Sequence, residues 1–310
     1  MLQGGRRPPS QGYCHGSNLY HRCGMDRMCA PAARIRRHRH HLHRRAALID
    51  MAVPQTVGGR IRIEIDQGIA DIRLVRSAKR NALDGAMFGA LAEAIDIVRE
   101  SQARAVVLSG EGSDFCAGLD LGMFAEMQAG LSPSGIPADL VPRTHGSSNL
   151  PQYCVMGWRS LSMPVIAAIS GSAIGGGLQL ALGADIRIVH PDARLMLREV
   201  HWGLVPDMGA FVLLPRLVRD DQLRRLIFAS APVNGREAVE IGLATQCDES
   251  PLAAAHALAR QIAGSDAAAV AAAKRLCNDP DSGTDAMLLK ESAAQQQRIE
   301  AVIRANAANP

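Results

Sequence analysis

The feature that most constrains this chain is a glycine-rich turn between an apolar strand and a helix, and it occurs twice. The apolar run Ala105–Ser109 leads through a loop to Phe115-Cys116-Ala117-Gly118-Leu119-Asp120, and the run Val165–Ile169 leads to Ser170-Gly171-Ser172-Ala173-Ile174-Gly175-Gly176-Gly177. Glycines at such places let backbone N–H groups come close to a ligand. A helix N-terminus adds unpaired donors and a partial positive charge. Two such ends aimed at one point make an oxyanion hole, where each hydrogen bond to the developing charge is worth about 2.7–4 kcal/mol of barrier. Taken singly, either loop also reads as a tight strand-to-helix turn. The GxxxGGG spacing of the second lacks an acidic residue about 20 positions on at the end of a next strand, which argues against a nicotinamide enzyme.

The flanking pattern is that of an α/β chain. Ile61, Ile63 and Ile65 alternate, Asp66-Gln67-Gly68 turns, and Ile69, Ile72 and Leu74 form a second short strand, a β-hairpin. Asp84 caps a helix with Met87, Leu91, Ile95 and Val98 on one face. Tyr153–Ser162 reads as helix, Ser170–Gly175 as loop, Gly176–Gly183 as a helix start, and Asp185–Val189 and Arg194–Leu197 as strands. Beyond about residue 213 strand signals largely vanish. Asp221–Ala229, Gly235–Ile241, Pro251–Ala263 and Asp266–Cys277 read as helices, and Gly130–Asn149, rich in Gly, Pro and Ser, as a mobile surface loop. The domains expected are a leader over 1–52, an α/β core over 53–212 and a helical region over 213–310.

Composition limits what the chain can do. It has 310 residues, 47% of them hydrophobic and 21% charged, which suits a globular protein with a substantial core. No run approaches the ~18 apolar residues of a membrane span. The net charge of +4 is unevenly spread: residues 1–50 hold ten Arg and two Asp, and the remainder is mildly acidic. No nucleic-acid partner is therefore indicated. The same fifty residues contain six of the ten His and lack hydrophobic periodicity, so disorder is expected there. A translated upstream stretch with Met51 as the true start, or a mitochondrial transit peptide, are both open readings. Cys14, His15, His21, Cys23 and Cys29 fit no zinc spacing, so no metal is expected. The odd set of seven cysteines shows no CxxC pair, which favours a reducing, cytoplasmic setting.

Together the motifs resemble the enoyl-CoA hydratase/isomerase (crotonase) family over about residues 58–295. Arg80-Asn81-Ala82-Leu83 is similar to the family's Asn-Ala-Leu turn. Gly118-Leu119-Asp120 resembles its first oxyanion motif, and Pro164–Asp185, with the Gly-Gly-Gly run, its second. Lys274 and Glu291 fall in a C-terminal stretch that also matches. The resemblance implies a spiral of ββα units with a helical C-terminal trimerisation region. It implies an acyl-CoA thioester as substrate, coenzyme A entering as part of that substrate with no further cofactor, and a homotrimer or hexamer. It places the Leu119 and Gly176 N–H groups on the thioester oxygen. It puts Asn81, Ala82 and Leu83 near the pantetheine entrance, Cys116, Ala117, Gly118, Asp120 and Gly175 along the bound coenzyme A, and Lys274 near its phosphates.

The acid/base positions depart from the family's hydratases, which carry two glutamates around the added water. One of those positions is Glu199 and the other is Gln179. Glutamine orients a water but cannot accept a proton at neutral pH. Glu199-Val200-His201-Trp202-Gly203-Leu204-Val205-Pro206-Asp207 is instead similar to the family's dienoyl-CoA isomerases, in which the Glu and the final Asp shuttle a proton between carbons. Leu197, Val200, Trp202 and Val205 are apolar neighbours suited to raising a carboxylate's pKa. Isomerisation with Glu199 and Asp207 is thus preferred. Hydration, with Glu199 and Gln179 holding the water, is the alternative, and a thioester hydrolase or a non-catalytic acyl-CoA-binding protein are further ones. Surface placement of Glu199 and a helix-capping role for Asp207 compete with catalysis. His201 reads as structural. Cys116 has no predictable His beside it to make it a nucleophile.

Overall fold

The computed structural model describes residues 54–279 and 282–308, without the side chains of 306–308. The leader expected over 1–52 lies outside the described residues.

The chain enters through three antiparallel strands, β1 (Gln55–Val57), β2 (Ile61–Asp66) and β3 (Ile69–Leu74). Gln67 and Gly68 both have positive φ, 48° and 76°. That is the turn whose twist matches paired strands, and it sets the register Asp66↔Ile69. Helix α1 (Gly85–Glu100) begins at Asp84, whose carboxylate accepts the Met87 N–H. Strand β4 (Ala105–Gly110) then pairs parallel to β3. Helix α2 (Leu121–Gln128) is capped by Asp120 through the Gly122 N–H.

Helix α3 (Leu150–Arg159) starts earlier than expected. Asn149 and Gln152 form a reciprocal capping box and a proline stands in the first turn, signals that override the loop-like composition before them. The preceding segment is tied down in several places. Glu126 accepts the Ser134 N–H and hydroxyl, Asn149 Nδ2 donates to Leu140 O, and Arg143 donates to Gln152.

Strand β5 (Val165–Ile169) pairs parallel to β4. The expected loop after it contains β6 (Ser172–Ile174), followed by α4 (Gly176–Leu182), β7 (Ile186–Val189) and β8 (Arg194–Met196). Helices α5 (Ala210–Leu213), α6 (Asp220–Phe228) and α7 (Gly235–Glu240) come next, then a two-residue strand β9 (Gln246–Cys247), and α8 (Pro251–Ala263), α9 (Ala267–Cys277) and α10 (Thr284–Ala308). Neither β9 nor α10 was foreseen individually. A two-residue strand has no alternation to display.

The strands form two layers. The larger sheet has the order β1-β2-β3-β4-β5-β7-β9, and β6 pairs with β8 in a second sheet. Isolated bridges extend the second layer: Leu83 to Leu119, Cys116 to Ala173, and Leu195 to Val233. A strand in the first layer, a short segment in the second, then a helix is therefore a repeated unit, seen in β4–Leu119–α2 and again in β5–β6–α4. Central strands are buried on both faces. Val106 and Leu108 of β4 point into the main core, while Ala105 and Val107 meet Ala255 and Ala259 of α8, as expected for parallel strands covered on both sides.

Candidate active site

The two glycine loops are pinned to each other by backbone bonds. Cys116 N–H donates to Ser172 O (2.9 Å) and Ile174 N–H to Cys116 O (3.0 Å). Leu83 N–H donates to Gly118 O (2.7 Å), and Asp120 N–H donates to Leu83 O (2.9 Å). The amides of Leu119 and Gly176 stand outside this ladder, with no protein acceptor among the described residues. Close approach requires glycine at two points. A Cβ on Gly118, whose φ is +88°, would stand 2.4 Å from Ile174 O and 3.7 Å from Gly176 N, and one on Gly177 would stand 2.2 Å from Cys116 O. The 2.4 and 2.2 Å distances to carbonyl oxygens are below any tolerable contact, so the juxtaposition is written into the sequence as glycine.

These loops floor a cavity of about 800 Å³. Ala117, Gly118, Leu119 and Asp120 line it from one loop, and Ile174, Gly175 and Gly176 from the other. Lys79, Arg80 and Arg198 give its rim positive charge, and Leu121, Phe124, Trp202 and Leu204 supply an apolar wall. The Phe124 and Trp202 rings meet edge-on with centroids 4.7 Å apart, and the Arg198 guanidinium lies 5.7 Å from the Trp202 ring centroid.

Glu199 sits in this cavity at the start of a 3-10 turn, Glu199–Trp202. Its carboxylate lies over Gly175, where an added Cβ would be 3.3 Å from Oε1 and 3.8 Å from Oε2. Gln179 Nε2 donates to Oε1 at 2.7 Å. Oε2 is buried and has no hydrogen-bond partner among the described residues. Burial pushes the Glu199 carboxyl up, and the negative charge of Asp207 adds to the rise; its own amide, Gln179 and the Arg198 amide oppose it. Asp207 keeps exposed surface and is not among the residues lining the cavity. Protein packed around its carboxyl still pushes it up.

Other expected site residues are placed differently. Asn81 is fully buried: its Oδ1 accepts the Arg76 N–H, and its Nδ2 donates to Glu111 O and Asp114 O. It shapes the entrance turn without facing the cavity. Of its neighbours Ala82 lines the cavity, while Leu83 is fully buried in the second layer. Cys116 is fully buried too, and burial pushes its thiol up to about 12, which removes it as a nucleophile. Lys274 is not at a phosphate site. It is buried, and its Nζ donates to Asp185 (2.7 Å) and to Met163 O (2.8 Å). Val200 and Val205 are exposed rather than packed around Glu199; Leu197 is buried and Trp202 lines the cavity. His201 is exposed and stands edge-on to Trp202.

Three supports escaped the sequence reading. Asp114 accepts two hydrogen bonds from Arg80 (2.9 and 2.8 Å) and one from the Ser172 N–H. Arg76 donates to Asp120 and to Ala82 O, and pairs with Asp84. Phe124 completes the aromatic wall. None carries a local signal, because each depends on contacts between distant segments. Among the described residues no group of three His, Cys, Asp or Glu is placed to hold a metal ion, and no helix is long and apolar enough to cross a membrane.

With this geometry in hand, known proteins give it a class. The enoyl-CoA hydratase/isomerase family profile matches residues 64–306. A probable enoyl-CoA hydratase of Mycobacterium leprae is 33% identical over 220 residues, covering 70% of this chain and 81% of that protein. The mitochondrial Delta(3,5)-Delta(2,4)-dienoyl-CoA isomerase of Mus musculus is 34% identical over 220 residues, 66% of this chain and 64% of that protein. The crystal structure of an enoyl-CoA hydratase from Bacillus anthracis superposes with a TM-score of 0.66 at 27% identity, covering 81% of this chain and 90% of that one. The architecture is thus the crotonase fold, α/β with a helical C-terminal region. The chain belongs to the enoyl-CoA hydratase/isomerase family, and it is an enzyme of that family acting on an enoyl-CoA thioester.

Proposed function

We propose that this enzyme moves carbon–carbon double bonds of an enoyl- or dienoyl-CoA by proton transfer. The observation that carries this reading is the buried, unpartnered Glu199 Oε2 beside the Gly175-Gly176 turn. The thioester oxygen would accept the free Leu119 and Gly176 N–H groups. Glu199, as the carboxylate, removes a proton from the carbon next to the thioester, and the electron pair moves onto the thioester oxygen as a dienolate. Asp207, which stands outside the cavity lining but near enough for its charge to act on Glu199, returns a proton as the acid at the far end of the conjugated system, and the double bonds shift. Exchange with solvent then resets both carboxyls. A raised pKa on each suits these roles, since a base and an acid work best near the operating pH.

Hydration would ask Gln179 to hold the attacking water. Its carbonyl oxygen already accepts the Met208 N–H at 2.9 Å and its amide donates to Glu199, which favours isomerisation. Lys79 and Arg80 at the rim, rather than Lys274, would meet the phosphates of coenzyme A. The free cysteines suit a reducing cytoplasm. Exposed Leu288, Leu289, Val302 and Ile303 on α10 support a homotrimer or a dimer of trimers, because a partner subunit would cover that apolar set.

The test is a panel of thioesters. Unconjugated dienoyl-CoA should gain extended conjugated absorbance, while turnover of enoyl-CoA to a hydroxyacyl product as the faster reaction would replace isomerase by hydratase. For assembly, Leu289→Glu with Ile303→Glu should reduce the sedimentation coefficient to that of a monomer; an unchanged trimer would reject the α10 interface.

A further inference from the structure

Gln179 is buried on α4 and is the only residue whose side chain touches both ends of the segment that runs from Glu199 to Met208 among the hydrogen bonds described. Between those ends the chain is exposed at all positions except Pro206 and the partly covered Glu199 itself. Inside it Gly203 N–H donates to Val200 O and Leu204 N–H to Glu199 O, and the Trp202 ring meets Phe124 edge-on and lies 5.7 Å from the Arg198 guanidinium. An exposed arm of this kind, with few buried contacts, has low local stability. Its two ends nevertheless need fixed positions relative to Gly176.

A glutamine matches both contacts at once. The Met208 N–H is a donor, so the side-chain oxygen must face it, and the NH2 group must then face Glu199. A leucine satisfies neither partner. A glutamate satisfies Met208 but turns its second oxygen towards Glu199 Oε1, where two carboxylates would have to share one proton. The amide therefore holds one oxygen of Glu199 by a charge-assisted bond and leaves the other free.

Resting on the proton-shuttle reading above, we propose that Gln179 is a positioning residue that clamps Glu199 and the Asp207-Met208 backbone to α4, setting the distance over which the proton is moved and keeping Oε2 as its acceptor. The groups that face Glu199 in this arrangement are Gln179 from α4, Asp207 from the arm, and the backbone N–H groups of Arg198 and Glu199. Removing the Gln179 amide takes away a bond that favours the ionised form, so the acid limb of kcat/KM must move to higher pH.

The experiment compares Gln179→Met, near in volume and without hydrogen bonds, with Gln179→Glu, which keeps the Met208 contact. Both are assayed for dienoyl isomerisation across pH, with binding of a saturated acyl-CoA as the check that the site is folded. Gln179→Met should lose about 10²-fold in kcat with KM within a few-fold, and both variants should shift the acid limb upward. If Gln179→Met binds the saturated thioester and keeps the wild-type kcat and pH profile, the clamp is refuted. If it fails to bind, Gln179→Glu decides alone: an unshifted limb in that variant refutes the clamp. Glu199→Gln runs beside them. Full activity there would overturn the proton-shuttle reading itself, whereas loss there with wild-type behaviour of the Gln179 variants overturns only the clamp.

Discussion

Two carboxylates stand beside the two glycine loops, and they are treated in opposite ways. Asp114 is buried next to the first loop and is saturated: Arg80 donates twice, Ser172 donates its N–H, and Ser113 its hydroxyl. These partners, Arg80 first, hold its carboxyl well below the usual range. Glu199 lies over the second loop with one amide partner on Oε1 and none on Oε2, and burial pushes it up. A carboxylate whose lone pairs are all engaged is a structural strut. One with a desolvated free oxygen is ready to take a proton.

The comparison breaks most visibly at Glu199. Glu199→Gln keeps the shape and the Gly175 contact but removes the base. The expected loss in kcat is about 10²–10⁴-fold, with thermal stability unchanged or raised because a buried charge has gone. Activity measured beside the melting curve checks both halves. A variant that melts early and keeps its turnover would reverse the roles assigned to the two carboxylates.

The next effect sharpens what a saturated pair is worth. Buried Lys274 pairs with partly buried Asp185, which also accepts the Val165 N–H. Removing one partner of such a pair costs about 3 kcal/mol or more. Lys274→Met should therefore lower unfolding stability by that order while KM for the acyl-CoA thioester stays near wild type, read from urea titration and initial rates. A large rise in KM with unchanged stability would restore the phosphate-binding role expected from the resemblance.

That misplacement shows what was legible in the chain. The hairpin, the Asp84 cap, the core strands and most of the C-terminal helices follow from periodicity and capping residues, which act over a few positions. The paired loops were legible because close backbone approach leaves glycine behind, as at Gly118 and Gly177. The neighbourhood of Glu199 was not. Nothing in the local sequence tells that Val200 and Val205 turn outward, that Gln179 reaches Met208, or that Asn81 and Lys274 are spent on backbone carbonyls. Those facts belong to packing between segments 29 to 116 positions apart, and one residue type serves equally as a ligand or as a brace.

A smaller effect tests the strut. Asp114→Asn keeps the shape and leaves Arg80 and Ser172 with a neutral partner. A loss of about 1–3 kcal/mol in unfolding stability is expected, towards the lower end because the Arg80 side chain is 57% exposed and solvent screens the pair. Catalysis should fall only as far as the two loops loosen. Denaturant unfolding and kcat on the same preparation separate the two, and a kcat loss as deep as that of Glu199→Gln would mean that Asp114 is no mere brace.

The smallest effect is the sign of the pH dependence of stability, and it distinguishes the two carboxylates without any substrate. Asp114 is depressed in the folded protein, so its contribution is present above its ordinary value of 3.8 and is lost as pH falls below it. Glu199 is raised, so the folded state holds its proton more tightly than the unfolded chain does. Its contribution is present below the ordinary 4.5 and is lost as pH rises through the folded value. Relative to wild type, Asp114→Asn should therefore become less harmful as pH is lowered, and Glu199→Gln more favourable as pH is raised from the acid side. Urea titrations of the three proteins over a pH series read both trends. If the two differences run in the same direction, the partners around Asp114 and the bare oxygen of Glu199 do not have the opposite consequences argued from their contacts.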